Sequence, residues 1–207
     1  MKRTYTVVGF LGREHGLQGL YNLINSNAYQ PVCIFTHKLK PKSEDIDRNL
    51  REEFKDYENV CKKNNIPLYT IDKKDEAINI DNVLNHIEDF DFIVSISWRR
   101  LIPSNHLNMA KTGGVNLHRG LLPDYPGAEP IKQALKNGDN FIYITSHVLE
   151  DTIDSGEIIS YYKHPVNYNK AYSLEENIKR LKKEITTQFG PLLIKSLNSM
   201  VDKYAKR

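Results

Sequence analysis

The chain has 207 residues, 40% of them hydrophobic and 27% charged, which is typical of a globular protein and not of a disordered or membrane protein. Its 29 basic and 26 acidic residues leave a formal net charge of +3 at pH 7, too small to favour a nucleic-acid partner. This length allows a sizeable core and no repeat or linker divides it, so we expect one domain over residues 1–207.

The sequence also favours a cytoplasmic protein without a membrane partner. The apolar run near the amino terminus is interrupted by glycine and charged residues, so it is too short for a signal peptide. No later run approaches the ~18 apolar residues that a transmembrane helix needs. Cys33 and Cys61 lie outside any Cys-x-x-Cys or Cys/His cluster, which predicts reduced thiols and no metal site.

The first half of the chain alternates apolar runs, rich in β-branched residues, with segments of helical periodicity. This alternation predicts an α/β fold with a doubly wound, mostly parallel sheet that is flanked by helices. The predicted elements are, in chain order, a strand over 5–11, a helix over 17–24, a strand over 31–36, a helix over 43–64, a strand over 66–71, a helix over 83–90 and a strand over 92–97.

The second half contains an irregular loop, marked by Pro123, Pro126 and Gly127, and ends in a helical pattern. From Ser173 onward, apolar residues at helical spacing predict one long amphipathic C-terminal helix, kinked at Pro191, that packs on the sheet. The other elements predicted here are a short helix over 104–111, a turn at 113–114, strands over 115–118, 141–149 and 157–162, and a helix over 130–136.

Two polar side chains lie at the end of an apolar strand. His118 ends the strand, and Asn116, two residues earlier, must project to the same side. Ligands of parallel α/β proteins bind outside the carboxyl ends of the strands, and burying both side chains unpaired would cost on the order of a few kcal/mol each. We therefore interpret the pair as part of a binding site, although a strand-end histidine taken alone is more often structural.

A carboxylate and a second imidazole follow downstream. Asp154, before Ser155 and Gly156, also fits a turn, and His147 also fits a hydrogen-bonded core position. Trp98 and the arginines after it likewise fit a buried aromatic side chain and solvated charges. Together, however, an amide, an imidazole and a carboxylate can bind a carbonyl group, move a proton and orient a base, which suits acyl transfer to an amine.

As a set, these residues resemble the folate-dependent formyltransferase family. That family has a Rossmann-like fold and includes glycinamide ribonucleotide transformylase, the catalytic domain of methionyl-tRNA formyltransferase and the sugar N-formyltransferases. The resemblance covers roughly residues 92–160, with a weaker match in the first strand, loop and helix. The segments that carry it are Asn116-Leu117-His118-Arg119-Gly120-Leu121-Leu122-Pro123, Tyr125-Pro126-Gly127, Gln133-Ala134-Leu135-Lys136-Asn137-Gly138-Asp139, Thr145-Ser146-His147 and Ile153-Asp154-Ser155-Gly156.

The resemblance implies 10-formyltetrahydrofolate as the formyl donor, a primary amine as the acceptor and no metal. It also implies that Asn116, His118 and Asp154 are the catalytic residues. The residues expected to hold the folate are Trp98, Arg100, Leu101 and Ile102 on one side and Val148, Leu149, Glu150 and Asp151 on the other. The residues expected near the acceptor are Gly12, Arg13, Arg119, Glu129 and His147.

The sequence departs from the family at two loops next to the expected site. Arg119 and Gly120 stand where many relatives have proline and serine, and the added cation suits either an anionic acceptor or solvent. The loop Gly12-Arg13-Glu14 replaces the Gly-Ser-Asn type that grips the phosphate in the transformylases. This second departure weakens the case for a role in purine synthesis.

These features favour a small-molecule amine as the acceptor, either an amino-sugar nucleotide or a compound like glycinamide ribonucleotide. Only one long helix follows residues 154–156 and their strand, and the net charge is low, so tRNA is the least favoured acceptor. Two alternatives stay open, a hydrolase that uses water as the acceptor and a catalytically silent module that binds folate. The apolar face of the C-terminal helix also allows a homodimer.

Overall fold

The computed structural model describes residues 3–73, 76 and 78–204, and it confirms the predicted α/β fold. Residues 1, 2, 74, 75, 77 and 205–207, which the predicted domain includes, lie outside this description. The strands are β1 (Tyr5–Leu11), β2 (Tyr29–Thr36), β3 (Leu68–Thr70), β4 (Phe90–Ile96), β5 (Ala110–His118), β6 (Phe141–Val148) and β7 (Ile158–Pro165). The helices are α1 (Arg13–Ile24), α2 (Phe54–Lys63), α3 (Ile78–Leu84), α4 (Ser104–Leu107), α5 (Pro130–Lys136), α6 (Leu174–Thr186) and α7 (Phe189–Tyr204).

The strands form a seven-stranded sheet in the order β3-β2-β1-β4-β5-β6-β7. The pairs from β3 through β5 are parallel, whereas β6 is antiparallel to both of its neighbours. Strand order reverses at β1, because β2 and β3 lie on one side of it and β4 and β5 lie on the other. The loops that leave β1 and β4 therefore diverge and open a crevice at the carboxyl ends of the strands.

Two apolar clusters cover the sheet, one on each face. In β1, Val7 and Leu11 are buried in the larger cluster, which includes residues of α1 and α7, whereas Val8 and Phe10 are buried in the smaller one. Every residue of β4 is buried, as expected for a central parallel strand that is covered on both faces. None of the helices in the described part of the chain has the length and apolar character needed to span a bilayer.

The predicted helix over 43–64 is wrong in its first half, because α2 begins only at Phe54. The segment between β2 and α2 is irregular and folds around Arg51, which is 4% exposed. Arg51 pairs with Glu44 at 3.5 Å and with Glu53 at 3.3 Å. Charged residues that suggested the solvent face of a helix are therefore paired within the segment, an arrangement that hydrophobic periodicity does not detect.

The predicted turn at 113–114 is also wrong, because β5 runs through both glycines. Gly114 lies against Leu149, and a Cβ atom at Gly114 would come within 2.8 Å of the Leu149 Cβ atom. The glycine thus allows the loop after β6 to approach β5 closely. The helix predicted over 83–90 lies earlier, at Ile78–Leu84, because β4 begins at Phe90. The helix predicted over 104–111 is shorter, at Ser104–Leu107, because β5 begins at Ala110.

The long C-terminal helix is present as α7, but the pattern that begins after Ser173 forms two helices. α6 ends at Thr186 and α7 begins at Phe189, so the break precedes the predicted kink at Pro191. Pro191 lies in the first turn of α7, where the missing N–H group would have had no partner within the helix. The α7 helix packs against α1 and against the sheet, as predicted.

Candidate active site

A cleft of about 880 Å³ opens at the carboxyl ends of the central strands. It lies where the loops after β1, β4 and β5 diverge, and residues of the β2–α2 segment, the β6–β7 loop and α6 also line it. This is the position at which parallel α/β sheets bind their ligands. All three predicted catalytic residues and most of the predicted folate and acceptor residues line this cleft.

Asn116, His118 and Asp154 meet in this cleft. The Nδ1 atom of His118 lies 3.1 Å from Oδ2 of Asp154, and Nδ2 of Asn116 lies 3.4 Å from Oδ1 of the same carboxylate. The side chains of His118 and Asp154 are 8% and 10% exposed. β5 thus supplies the amide and the imidazole from one strand, and the loop between β6 and β7 brings the carboxylate to them.

Both ring nitrogens of His118 face oxygen atoms that accept hydrogen bonds. Nδ1 faces the Asp154 carboxylate, and Nε2 lies 2.7 Å from the main-chain carbonyl oxygen of Tyr125. Neither a carboxylate nor a carbonyl group can donate, so both contacts are hydrogen bonds only when both ring nitrogens carry protons. The geometry therefore favours the charged imidazolium form of His118.

Asp154 is held in its ionised form. Burial alone would raise the pKa of this carboxyl group, but four contacts outweigh burial. They are the hydrogen bond of His118, the His147 ring, whose Nε2 atom lies 3.5 Å from Oδ1, the charge of His118 and the Gly127 main-chain N–H, which donates at 2.8 Å. Together they bring the pKa of Asp154 well below its ordinary range. A carboxylate of this kind orients and stabilises a cation well, but it is a weak base.

His147 fixes the amide of Asn116. Nδ1 of His147 lies 2.8 Å from the main-chain oxygen of Val148, so this nitrogen carries the proton and Nε2 is left to accept. Nδ2 of Asn116 donates to Nε2 of His147 at 2.9 Å. His147 is 1% exposed, so it has the environment of a hydrogen-bonded core imidazole and also forms part of the cleft lining.

Four non-glycine residues that line the cleft have left-handed backbone torsions. The φ angle is 58° at Arg13, 53° at Ser97, 54° at Glu129 and 49° at Asp154. Such torsions cost on the order of 1 kcal/mol each and persist only where the surrounding structure determines them. Their concentration around one cleft indicates a site in which the directions of the side chains matter.

The predicted folate side of the cleft has an apolar wall. Leu101, Ile102 and Leu149 line it together with Trp98. The Trp98 ring stacks on the ring of His37, with 4.2 Å between centroids, and belongs to the smaller apolar cluster. Because Leu101 is 56% exposed, this wall presents apolar surface that a flat aromatic ligand would cover.

Three predicted site residues lie outside the lining of the cleft, namely Gly12, Val148 and Asp151. The Asp151 carboxylate accepts a hydrogen bond from the Ser104 hydroxyl, and the Val148 main chain pairs with that of Glu157. Gly12 shapes the start of α1, since a Cβ atom there would lie 2.8 Å from the Ser97 carbonyl oxygen. The other predicted folate and acceptor residues that line the cleft are Arg100, Glu150, Arg13, Arg119, Glu129 and His147.

Three of the five arginine and lysine side chains that line the cleft, namely Arg13, Arg119 and Lys182, interact electrostatically, and we call these three the cation cluster. Burial lowers the pKa of Arg119 to about 10, and the charge of Arg13 contributes to the shift. Burial also lowers the pKa of Lys182, with further contributions from Arg119 and Arg13. The three charges therefore lie close enough to repel one another.

Two carboxylates balance the cation cluster only in part, since Glu129 and Glu44 raise the pKa of Lys182 against the effect of burial. Glu44 pairs with Arg13 at 2.8 Å, but both side chains are more than one third exposed. Within residues 3–73, 76 and 78–204, neither Arg119 nor Lys182 forms an ion pair, and the buried Nε atom of Arg119 has no hydrogen-bond partner. The cluster therefore has the excess positive charge that an anion would neutralise.

Sequence reasoning missed Lys182 and Glu44. Lys182 follows the buried Leu181 on α6 and suggested one more charged residue on the outer face of the C-terminal helix. Glu44 fell within the incorrectly predicted helix before α2. A weak signal existed only for Lys182, whose position borders the apolar stripe. In the described part of the chain, no group of three or more His, Cys, Asp or Glu side chains is arranged to hold a metal ion.

The fold and the crevice define an α/β protein with an amide, an imidazole and a carboxylate grouped at the switch point of its sheet. Residues 6–189 match the family model described as formyl transferase, so the chain belongs to the formyl transferase family. This match confirms the resemblance that the motifs around Asn116, His118 and Asp154 suggested.

Similar proteins of known identity include two methionyl-tRNA formyltransferases. The chain is 32% identical over 143 residues to that of Staphylococcus epidermidis, which covers 69% of this chain and 44% of the relative. It is 31% identical over 144 residues to that of Mycoplasmopsis pulmonis, which covers 69% of this chain and 46% of the relative. The matched region thus spans less than half the length of these relatives.

Solved structures share the fold at lower sequence identity. A formyltetrahydrofolate deformylase from Pseudomonas syringae superposes with a TM-score of 0.70 at 20% identity, covering 94% of this chain and 60% of that chain. A phosphoribosylglycinamide formyltransferase from Bacillus halodurans superposes with a TM-score of 0.63 at 21% identity, covering 93% of this chain and 94% of that chain. These similarities establish the Rossmann-like formyltransferase fold.

Proposed function

We propose that this protein transfers a formyl group from 10-formyltetrahydrofolate to the primary amine of a small molecule that also carries an anionic group. An amino-sugar nucleotide and a compound like glycinamide ribonucleotide both have this chemistry. Asn116, His118 and Asp154 are the proposed catalytic residues. The observation that carries the proposal is the 3.1 Å contact between His118 and Asp154 beside an open cleft.

The residues of the cleft fit a folate donor. A pterin has flat ring faces and a polar edge, and the wall that contains Leu101, Ile102 and Leu149 offers apolar surface for such a face. Arg100 and Glu150, also in the lining, offer polar groups for such an edge. When bound, the donor supplies the formyl carbonyl group that the amine attacks.

His118 and Asn116 stabilise the negative charge that develops on the formyl oxygen. The two N–H groups of His118 are held by Asp154 and by the Tyr125 carbonyl oxygen, so His118 contributes the positive charge of its imidazolium. Asn116 contributes an N–H group, since it can give up its 3.4 Å contact with Asp154 while it keeps the shorter one with His147. Donors that are held in place before the reaction stabilise such charge at little reorganisation cost, and each contributes about 2.7–4 kcal/mol to lowering the barrier.

Asp154 keeps His118 charged and correctly oriented. Its lowered pKa makes it a poor proton acceptor, so orientation of the imidazolium is its main role. The amine must lose a proton as the new amide bond forms, and the nitrogen that loses the formyl group must gain one. A water next to the Asp154 carboxylate provides the route between them, because that carboxylate faces the cleft.

The cation cluster binds the anionic part of the acceptor. Arg119 lines the same cleft as the proposed catalytic histidine, so a ligand group bound by its guanidinium lies in the site that holds the reacting amine. Lys182 adds a second charge from α6, and Arg13 adds a third once the ligand competes with Glu44. Water as the acceptor would make no use of these charges, which is why we favour a transferase over a hydrolase.

One assay separates the candidate functions. The protein is incubated with 10-formyltetrahydrofolate while tetrahydrofolate and formate are followed, first alone and then with an amino-sugar nucleotide, glycinamide ribonucleotide or methionyl-tRNA. We expect tetrahydrofolate to accumulate with a formylated small amine and without matching formate. Matching formate in the absence of an amine would identify a hydrolase, formylated methionyl-tRNA would identify a tRNA enzyme, and folate binding without any turnover would identify a silent module.

A further inference from the structure

A buried histidine that the mechanism does not use lies against the cation cluster. His15, on α1, is 6% exposed, and its ring packs against Phe189 of α7 with 4.6 Å between centroids. Its Nε2 atom lies 3.4 Å from Nη1 of Arg119, and its Nδ1 atom lies 3.4 Å from the hydroxyl oxygen of Ser97. His15 therefore connects the end of β4 with the residue that follows the catalytic histidine.

The Arg119 contact determines the tautomer of His15. A guanidinium group has only donors, so Nε2 of His15 must accept and cannot carry a proton. The ring proton then resides on Nδ1, where it points to the Ser97 hydroxyl oxygen, which can accept it. The Nε2 atom of His15 is thus a neutral acceptor for Arg119.

The surroundings of His15 keep the ring neutral. Burial lowers the pKa of His15 well below its usual value, and the charges of Arg119, Arg13 and Lys182 lower it further. These cations face the ring from the loop after β5, from its own helix and from α6, while Ser97 and Phe189 are its neutral neighbours. Protonation would place a fourth positive charge in the same region.

We propose that His15 is a positioning residue that holds Arg119 in place for the anionic group of the acceptor. A carboxylate in this position would also hold the guanidinium, but it would cancel the charge that the ligand needs. A neutral imidazole restrains the side chain and leaves its charge and its other donors available. The inference rests on the anionic acceptor of the proposed function.

Three substitutions separate this role from simple packing. In His15→Gln the side-chain amide reaches the place of Nε2, so the Arg119 contact is kept. In His15→Asn the shorter amide reaches only the place of Nδ1, so the Ser97 contact is kept and the Arg119 contact is lost. His15→Leu loses both contacts and retains the apolar packing on Phe189. Thermal unfolding of each variant reports whether it is folded.

The probe is inorganic phosphate, and its affinity for the full chain is followed by NMR titration. We expect His15→Asn and His15→Leu to weaken phosphate binding about tenfold, while His15→Gln stays within about threefold of the wild type. Tetrahydrofolate binding, followed by the fluorescence of Trp98, should be the same in all folded variants. An Arg119→Gln background should abolish the difference between His15 and its Asn variant.

Equal phosphate affinity in wild type and His15→Asn would overturn the proposal. A second measurement does not depend on the acceptor: nitrogen NMR of the imidazole should show His15 with Nδ1 protonated and Nε2 unprotonated between about pH 6 and 8. A proton on Nε2 would overturn the proposal even if phosphate binds. Failure of the wild type to bind phosphate, with the expected tautomer present, would instead overturn the anionic acceptor of the proposed function and leave the Arg119 contact supported.

Discussion

His118 occupies the space into which a side chain at Gly120 would project, since a Cβ atom at Gly120 would lie 2.8 Å from Nε2 of His118. The same atom would lie 2.4 Å from the Cβ atom of Pro130 and 3.0 Å from the carbonyl oxygen of Tyr125. That carbonyl group is the partner that Nε2 of His118 donates to. The absence of a side chain at Gly120 is therefore what allows the chain to turn back and anchor the imidazolium.

Gly120→Ala should therefore reduce both stability and activity. We expect the free energy of unfolding to fall by about 1–3 kcal/mol, because a methyl group in this space must displace His118 or Pro130. Urea denaturation measures the change. Gly138→Ala is the control, since Gly138 has a φ of +75° but a Cβ atom there meets nothing within 4 Å. Gly138→Ala thus measures left-handed strain without a close contact, whereas Gly120 has no positive φ. A Gly120→Ala variant with the wild-type free energy of unfolding would show that the close contact at His118 is not significant.

Asp154→Asn should destabilise the protein at neutral pH and much less in acid. A carboxyl group whose pKa is lowered on folding stabilises the folded state above its unfolded pKa of about 3.9, and this contribution is lost as the pH falls toward the lowered value. We expect the free energy of unfolding of the variant to be about 1–3 kcal/mol lower than that of the wild type at pH 7, because charged hydrogen bonds are lost. Urea denaturation at pH 7 and pH 3 should show this difference narrowing, and a difference that widens in acid would contradict the assigned direction.

Glu44→Gln should strengthen binding of phosphate to the cation cluster. The substitution removes the carboxylate that pairs with Arg13 at 2.8 Å, so the guanidinium no longer has a competing partner. We expect the affinity for phosphate to rise about three- to tenfold. Stability should fall, because Glu44 also pairs with the buried Arg51 at 3.5 Å and Arg51 would then keep only Glu53. Glu58→Gln makes the same change in net charge on the exposed side of α2, away from the cleft lining, and serves as the control. An equal gain in phosphate affinity in Glu44→Gln and Glu58→Gln would show only a general effect of net charge.

The sequence predicted the part of the site that depends on regular structure. Asn116 and His118 are two residues apart on a strand, so their shared direction follows from strand geometry alone. The approach of Asp154 does not follow from spacing, because it depends on a loop with a φ of 49° at that residue. The chemistry of the three residue types and the resemblance to a family, not spacing, brought this carboxylate into the predicted site.

Other features could not be predicted because tertiary contacts decide them. Gly114 suggested a turn, but its role is to let Leu149 pack against β5, a contact between residues far apart in the chain. Arg51 suggested a solvated charge on a helix, but it is buried and pairs with Glu44 and Glu53 in an irregular segment before Phe54. Local periodicity carries no information about such partners.

The most direct test of the proposed mechanism is the rate at which the protein formylates its amine acceptor when His118 is replaced by glutamine. The glutamine amide would keep a polar group in the place of the ring but carry no positive charge, so His118→Gln should lower turnover by about 10²- to 10³-fold while tetrahydrofolate binding to the Trp98 side of the cleft is unchanged. The exposed His86, outside the cleft lining, provides the control His86→Gln, which should have the wild-type rate. Near wild-type turnover in a folded His118→Gln variant would contradict the role of the His118 and Asp154 pair.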